Sequence, residues 1–183
     1  IDAIKFHIDN KMVNGDDFIK SCTHKGNFYL MAGISNETEA RCYHPGMAKY
    51  LLEEVSPEFD LVLADCGNEL DNGLAVGTLT ASEKIFLIMA LQETALKRYE
   101  KNKKLMDDLG VNISKYIVNK YCEQDPYGLS YFASRLGLER DCILKVDLAD
   151  FSRQAEIDSR TLLEFKNDVY IRDIIALAND ILH

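Results

Sequence analysis

The residues able to do chemistry stand at the ends of apolar runs. Residues 60–66 (DLVLADC) bring Asp65 and Cys66, followed by Gly67, Asn68 and Glu69. Residues 84–91 (KIFLIMAL) lead to Gln92, Glu93 and Thr94. Asn119 and Lys120 lie late in 115–121 (KYIVNKY), with Glu123, Gln124 and Asp125 beyond, and Asp147 and Asp150 follow from 142–148 (CILKVDL). Asp65 is the sharpest of these. A carboxylate closing an otherwise apolar stretch needs a partner. A hydrated Mg²⁺ beside nucleotide phosphates is one such partner. The backbone of the loop at Gly67 and Asn68 is another, through an Asx-type cap. The residues by themselves leave both open.

Two further constellations compete. Cys22 with His24 and Cys42 with His44 together offer four nitrogen and sulfur donors. Zinc sites use Cys-x₂₋₄-Cys spacing, whereas each pair here skips a single residue, and His44 is equally explained as a helix-start residue before Pro45. Asp65, Thr94 and Lys120 stand at intervals close to those of a receiver-type phosphoacceptor domain, which also needs an acidic pair ending its first strand. Ser21 and Cys22 occupy that region, Asp16 and Asp17 follow no strand, and Lys120 precedes Tyr121 where such domains carry Pro. No Ser/His/Asp or Cys/His catalytic set is legible around His7, His24, His44 or His183.

The elements that must position these residues read as strands and helices in alternation. The four runs above and 27–34 (NFYLMAGI) have strand length, and most are near-continuously apolar, as strands buried on both faces of a parallel sheet are. Helical spacing lies between them. One helix starts at Pro45 and carries Met47, Tyr50, Leu51 and Val55. A second covers 92–109, with Ala95, Tyr99, Met106 and Leu109 inward and Gly110 as its stop. A third starts at Asp125 and Pro126, carries Leu129, Phe132, Ala133 and Leu136, and ends at Gly137. The last starts near Asp168, with Ile171, Ile174, Ile175, Ala178 and Ile181 on one stripe. The pattern predicts a single α/β domain over 1–183, a doubly wound, mostly parallel sheet with helices on both faces. Ligands of such sheets bind at the carboxyl ends of the strands.

Composition narrows the classes. The chain has 183 residues, 21 Lys plus Arg against 30 Asp plus Glu, a formal charge of −9, and 47% apolar residues. Such a chain builds a core and is not disordered. No apolar run approaches the roughly 20 residues of a membrane span, and an acidic surface repels nucleic-acid phosphate. The five cysteines form no Cys-x-x-Cys pair, so free thiols in a reducing cytoplasm are expected. Lys97, Lys101 and Lys104, with Arg98 and Lys103 nearby, make a basic helix stripe: a solvated face or a docking surface for an acidic partner. Glu100, Asp107 and Asp108 dilute it for DNA.

The order of these segments resembles the MinD/ParA group of P-loop ATPases, from about Asn27 to the end of the chain. The stretch 59–65 (FDLVLAD) is similar to the family's second acidic motif, and 81–88 (ASEKIFLI) to its next strand. The turn and helix start at 92–98 (QETALKR), the strand end Ile117, Val118, Asn119 and Lys120, the final strand and loop at 146–156, and 162–165 (LLEF) before the last helix follow in register. The resemblance implies a P-loop NTPase-like fold, ATP and Mg²⁺ as cofactors, and a cytoplasmic protein, recruited in some relatives to the membrane or cell pole. It implies that Asp65 orders Mg²⁺ through water, that Asn119 hydrogen-bonds adenine with Lys120 beside it in the nucleotide site, and that Asp147 and Asp150, in the loop of the last strand, also bind the nucleotide. Gly67 and its neighbours become a switch loop that senses the γ-phosphate and supports a homodimer. The partner implied is a protein of a localisation, secretion or pilus machine. Departures in the switch loop, where Gly67 and Glu69 replace the family's Pro and Gly, and near the last strand, where Asp147 or Leu148 replaces Pro, point to the atypical ATPases of pilus or flagellar positioning (the TadZ/CpaE type) or to a non-hydrolysing scaffold. No G-x-x-x-x-G-K-S/T loop exists in these residues. The resemblance therefore carries the expectation that residues before Ile1 supply it.

Overall fold

In the computed structural model, residues 1–68 and 70–183 are described, the side chain of Glu37 excepted, so Glu69 of the expected switch loop lies outside the described residues. Backbone contacts group the chain into two compact units, Ile1–Glu83 and Lys84–His183.

In the first unit, α1 (Lys5–Asp9) and α2 (Gly15–Ser21) precede a short hairpin of β1 (Thr23–Lys25) and β2 (Phe28–Leu30). Asn14 starts α2 by accepting the Asp17 amide at 2.9 Å. Gly26, at φ 59°, turns the hairpin. A 3-10 turn at Glu37–Cys42 leads into α3 (Pro45–Val55), and α4 (Gly73–Ala81) follows. Ile4, Ile8, Val13, Leu51 and Val55 form the buried centre, with Phe18, Tyr50 and Phe59 packed around it. Gly73 and Gly77 bring α4 against the start of α3: a Cβ on Gly73 would stand 2.1 Å from the Tyr43 carbonyl oxygen, and one on Gly77 2.1 Å from that of Pro45.

The second unit is a three-stranded parallel sheet flanked by helices. It contains β3 (Phe86–Met89), α5 (Glu93–Asp108), β4 (Lys115–Tyr121), α6 (Leu129–Leu136), β5 (Ile143–Asp147), α7 (Ser152–Ile157) and α8 (Asp168–Leu182). The strands lie in the order β3-β4-β5, with Ile88 opposite Ile117 and Ile117 opposite Leu144. Ile117 and Val118 on the central strand are 2% and 0% exposed, as a doubly covered strand requires. Tyr116, Tyr99 of α5 and Phe132 of α6 meet edge to face, and the Tyr99 and Tyr116 hydroxyls share a 2.8 Å hydrogen bond. The mixed α/β class and the parallel pairing agree with the sequence reading.

Several expectations are corrected. Residues 60–66 form no strand. Leu61, Val62 and Leu63 are 45%, 38% and 70% exposed, and without a neighbouring ladder β-propensity does not make a strand. Of 27–34 only Phe28–Leu30 is a strand, and its pairing is antiparallel, because the turn at Gly26 folds it onto its immediate neighbour. The third helix starts at Leu129, after a turn in which Asp125 Oδ1 accepts the Tyr127 amide at 2.9 Å. On α8 the inward face is turned away from Ile175, which is 55% exposed, and towards Asp173, which is 6% exposed. Helices α1, α2, α4 and α7 leave no clear periodic mark in the sequence: all but α4 are seven residues or shorter, and α4 is apolar all round, which hides its period.

Candidate functional site

The carboxyl end of the parallel sheet holds three of the expected residues. β4 and β5 pair in step up to Asn119 opposite Val146; the register then slips, and Tyr121 stands opposite Asp147. Lys120 is the extra residue. It adopts φ 56°, a left-handed conformation uncommon for a side chain with a Cβ. Asn119 supports that kink, its Oδ1 accepting the Lys120 amide at 2.9 Å. Its Nδ2 donates to nothing among the described residues. Lys120 itself is exposed. Backbone strain at the carboxyl edge of a parallel sheet is where ligand-binding loops are found.

Asp147 is half-buried and salt-bridged to Lys145, two residues back on the same strand. It is thus held by the protein's own cation. Asp150 is exposed in the turn before α7. The structure therefore brings Asn119, Lys120 and Asp147 together, with Asp150 a short loop away.

Asp65 and Gly67 belong to the first unit. Gly67, at φ 68°, donates its amide to Asp65 Oδ1 at 2.9 Å, so Asp65 closes an Asx turn as one of its two readings expected. The turn forms one wall of a crevice of about 660 Å³ whose lining includes Thr38, Arg41, Cys66, Gly67, Asn68 and Asp71. Burial, and then the neighbouring Asp65, push the Cys66 thiol above its usual range. Below the crevice Asn72 caps α4, its Oδ1 accepting the Ala75 amide at 2.8 Å. Arg41 is exposed and makes no ion pair among the described residues.

The rival constellations fare differently. His24 stacks on Tyr29 at 5.6 Å, and the described residues contain no group of three His, Cys, Asp or Glu arranged to hold a metal. Thr94 lies inside the first turn of α5, past Met89 where β3 ends, and so does not present the strand-end hydroxyl of a receiver. All five cysteines are free thiols. No helix among the described residues is long and apolar enough to cross a membrane.

On α5 Glu100, one of the three diluting carboxylates, is ion-paired, as is Glu93. Arg135 of α6 meets Glu100 at 2.5 Å and Glu93 at 3.9 Å, and Lys97 meets Glu93 at 3.6 Å. Arg98, Lys101 and Lys104 make no ion pair among the described residues.

The residues that sequence reasoning missed are Lys145 and Asp173. Lys145 is partly buried, its Nζ 3.7 Å from Asp173 Oδ2 and 5.1 Å above the ring of Tyr121. The available signal was a pair of acids, Asp173 and Asp180, seven residues apart on one side of α8. They face lysines on the strands: Asp180 lies 3.6 Å from Lys115 of β4. No family model matches the chain, and no curated protein or solved structure matches it either.

Proposed function

We propose that this chain belongs to a MinD/ParA-like ATP-binding switch protein that acts in spatial positioning or assembly through nucleotide-dependent dimerisation. The observation that carries the reading is the carboxyl end of the parallel sheet. There Asn119 stands at a bulge with its amide nitrogen free to donate, and Lys120 is held in a strained conformation. A planar side-chain amide offers a donor and an acceptor side by side, which suits the edge of an adenine ring. The doubly wound fold belongs to the same proposal. Among the described residues the outer edge of β3 has no neighbour, and Ile88 is 59% exposed. A further strand would give that edge of β3 a partner. Asp65 beside Gly67 fits a Mg²⁺-ordering carboxylate whose turn changes when nucleotide binds.

A second reading, a non-hydrolysing scaffold of the same fold, is favoured by Asp65 already serving its own turn. One titration separates the two. In the full-length protein, ATP with Mg²⁺ at about a hundred times Kd raises stability by about 2.7 kcal/mol for the switch. The scaffold shows no shift. Asp65→Ala weakens the dependence of that shift on Mg²⁺; an unaltered Mg²⁺ response clears Asp65 of the role.

A further inference from the structure

A carboxylate is costly to bury unless it is partnered. Asp173 of α8 is 6% exposed and is the one buried charged residue among those described. Its Oδ1 meets Arg172 Nη2 at 3.2 Å, but that guanidinium is largely in solvent and contributes little. Its Oδ2 makes the informative contacts: it accepts the Asp147 amide at 3.1 Å and lies 3.7 Å from Lys145 Nζ.

The direction of the Asp147 amide shows what this bond does. Leu148 donates its own amide towards β4, to the Tyr121 carbonyl at 2.8 Å. Successive amides of an extended chain point to opposite sides. The Asp147 amide therefore faces the other edge of β5, where no strand lies among the described residues. Asp173 takes the place of the missing strand at that point. Through Lys145, salt-bridged to both carboxylates and seated over the Tyr121 ring, the same residue also braces the end of β4, one residue after the left-handed Lys120.

We propose that Asp173 is a positioning residue for base recognition: one carboxylate on α8 holds the ends of β4 and β5 together, so that Asn119 and Lys120 meet the ligand at a set angle. The proposal rests on Asn119 contacting the base. It adds that discrimination between adenine and guanine nucleotides depends on a residue that does not touch the ligand.

The test uses the full-length protein and two variants. Asp173→Asn keeps an oxygen for the Asp147 amide and removes one of the two charges that hold Lys145. Asp173→Ala removes that oxygen as well. Hydrogen exchange without nucleotide is followed over 117–124 and 145–151, with α5 of the same unit as the control for unfolding of that unit. Titrations with ATP and GTP, each with Mg²⁺, give the ratio of their Kd values. Asp173→Ala speeds exchange in both segments about ten-fold, leaves α5 unchanged, and reduces the ATP preference to within about two-fold. Asp173→Asn speeds 117–124 and leaves 145–151 near wild type. Wild-type exchange in both segments of Asp173→Ala overturns the proposal. So does a retained ATP preference in a variant that is only less stable, which would make Asp173 structural. A wild type that responds to neither nucleotide removes the reading of Asn119 itself. A wild type that prefers ATP while Asp173→Ala prefers it equally removes only the positioning role.

Discussion

Replacing Gly77 by Ala tests the packing that places the crevice of the first unit. Gly77 lies within α4, so on helix propensity alone Ala is favoured by about 1 kcal/mol. Against this stands the start of α3. The new Cβ would lie 2.1 Å from the Pro45 carbonyl oxygen and 2.8 Å from its carbonyl carbon and Cα, where ordinary contact begins at 3.4 Å. These are backbone atoms that cannot rotate aside, so α4 must retreat from α3 by more than an ångström. Overpacking of this kind costs about 1–3 kcal/mol, and occasionally more. With the propensity gain deducted, Gly77→Ala is expected to destabilise by up to about 2 kcal/mol. Gly46, in the first turn of α3, has nothing within 4 Å of its would-be Cβ. Gly46→Ala should therefore gain about 0.4–1 kcal/mol by restricting the unfolded chain. The assay is urea unfolding followed by far-UV circular dichroism and tyrosine fluorescence, since the chain contains no tryptophan. A lower midpoint for Gly77→Ala and a higher one for Gly46→Ala, at unchanged slope, are expected. A Gly77→Ala chain as stable as the parent would refute the close approach of α4 to Pro45, and with it the placement of Asn72 and Asp71 beside the crevice.

The buried Tyr99–Tyr116 hydroxyl pair gives an asymmetric prediction: Tyr99→Phe strands the Tyr116 hydroxyl and costs about 1–3 kcal/mol, while the double Phe variant recovers most of that loss, and additive losses in the unfolding cycle would argue against the bond. Burial, reinforced by Tyr116, raises the Tyr99 phenol pKa, and burial with the Asp2 bond raises that of Tyr43. Because both are raised on folding, their contribution is complete below the unfolded phenol value of about 10 and is lost as pH rises beyond it. Thermal unfolding between neutral and strongly alkaline pH should show that decline, and Tyr99→Phe should reduce it. Asp2, whose carboxyl is held low chiefly by Ser35, works in the opposite direction. Its contribution is present above the usual carboxylate range and lost in acid, so Asp2→Asn should flatten the acid limb of the first unit's stability.

The sequence alone determined the elements whose cues are local. Pro45 in the first turn of α3, Gly110 after α5 and Gly137 after α6 end or start helices wherever the rest of the chain lies, because φ and the backbone N–H are properties of one residue. The runs that became β3, β4 and β5 are legible because each is apolar at successive positions, although only the central β4 is covered on both faces. Asn119, Lys120 and Asp147 stand late in or just after those runs, so the sequence itself puts them at the carboxyl ends of strands. Tertiary structure decided what needs a partner. Whether Leu61 to Leu63 make a strand depends on a neighbouring ladder, and hydrophobic runs do not carry one with them. The left-handed Lys120 arises from a register slip between two strands, which is a property of their pairing. Asp173 was invisible because a polar residue flanking an apolar helix stripe looks solvated. Only the rotation of α8 towards Lys145 and the open edge of β5 turns it inward, and electrostatic need between segments distant in the chain leaves no periodic mark.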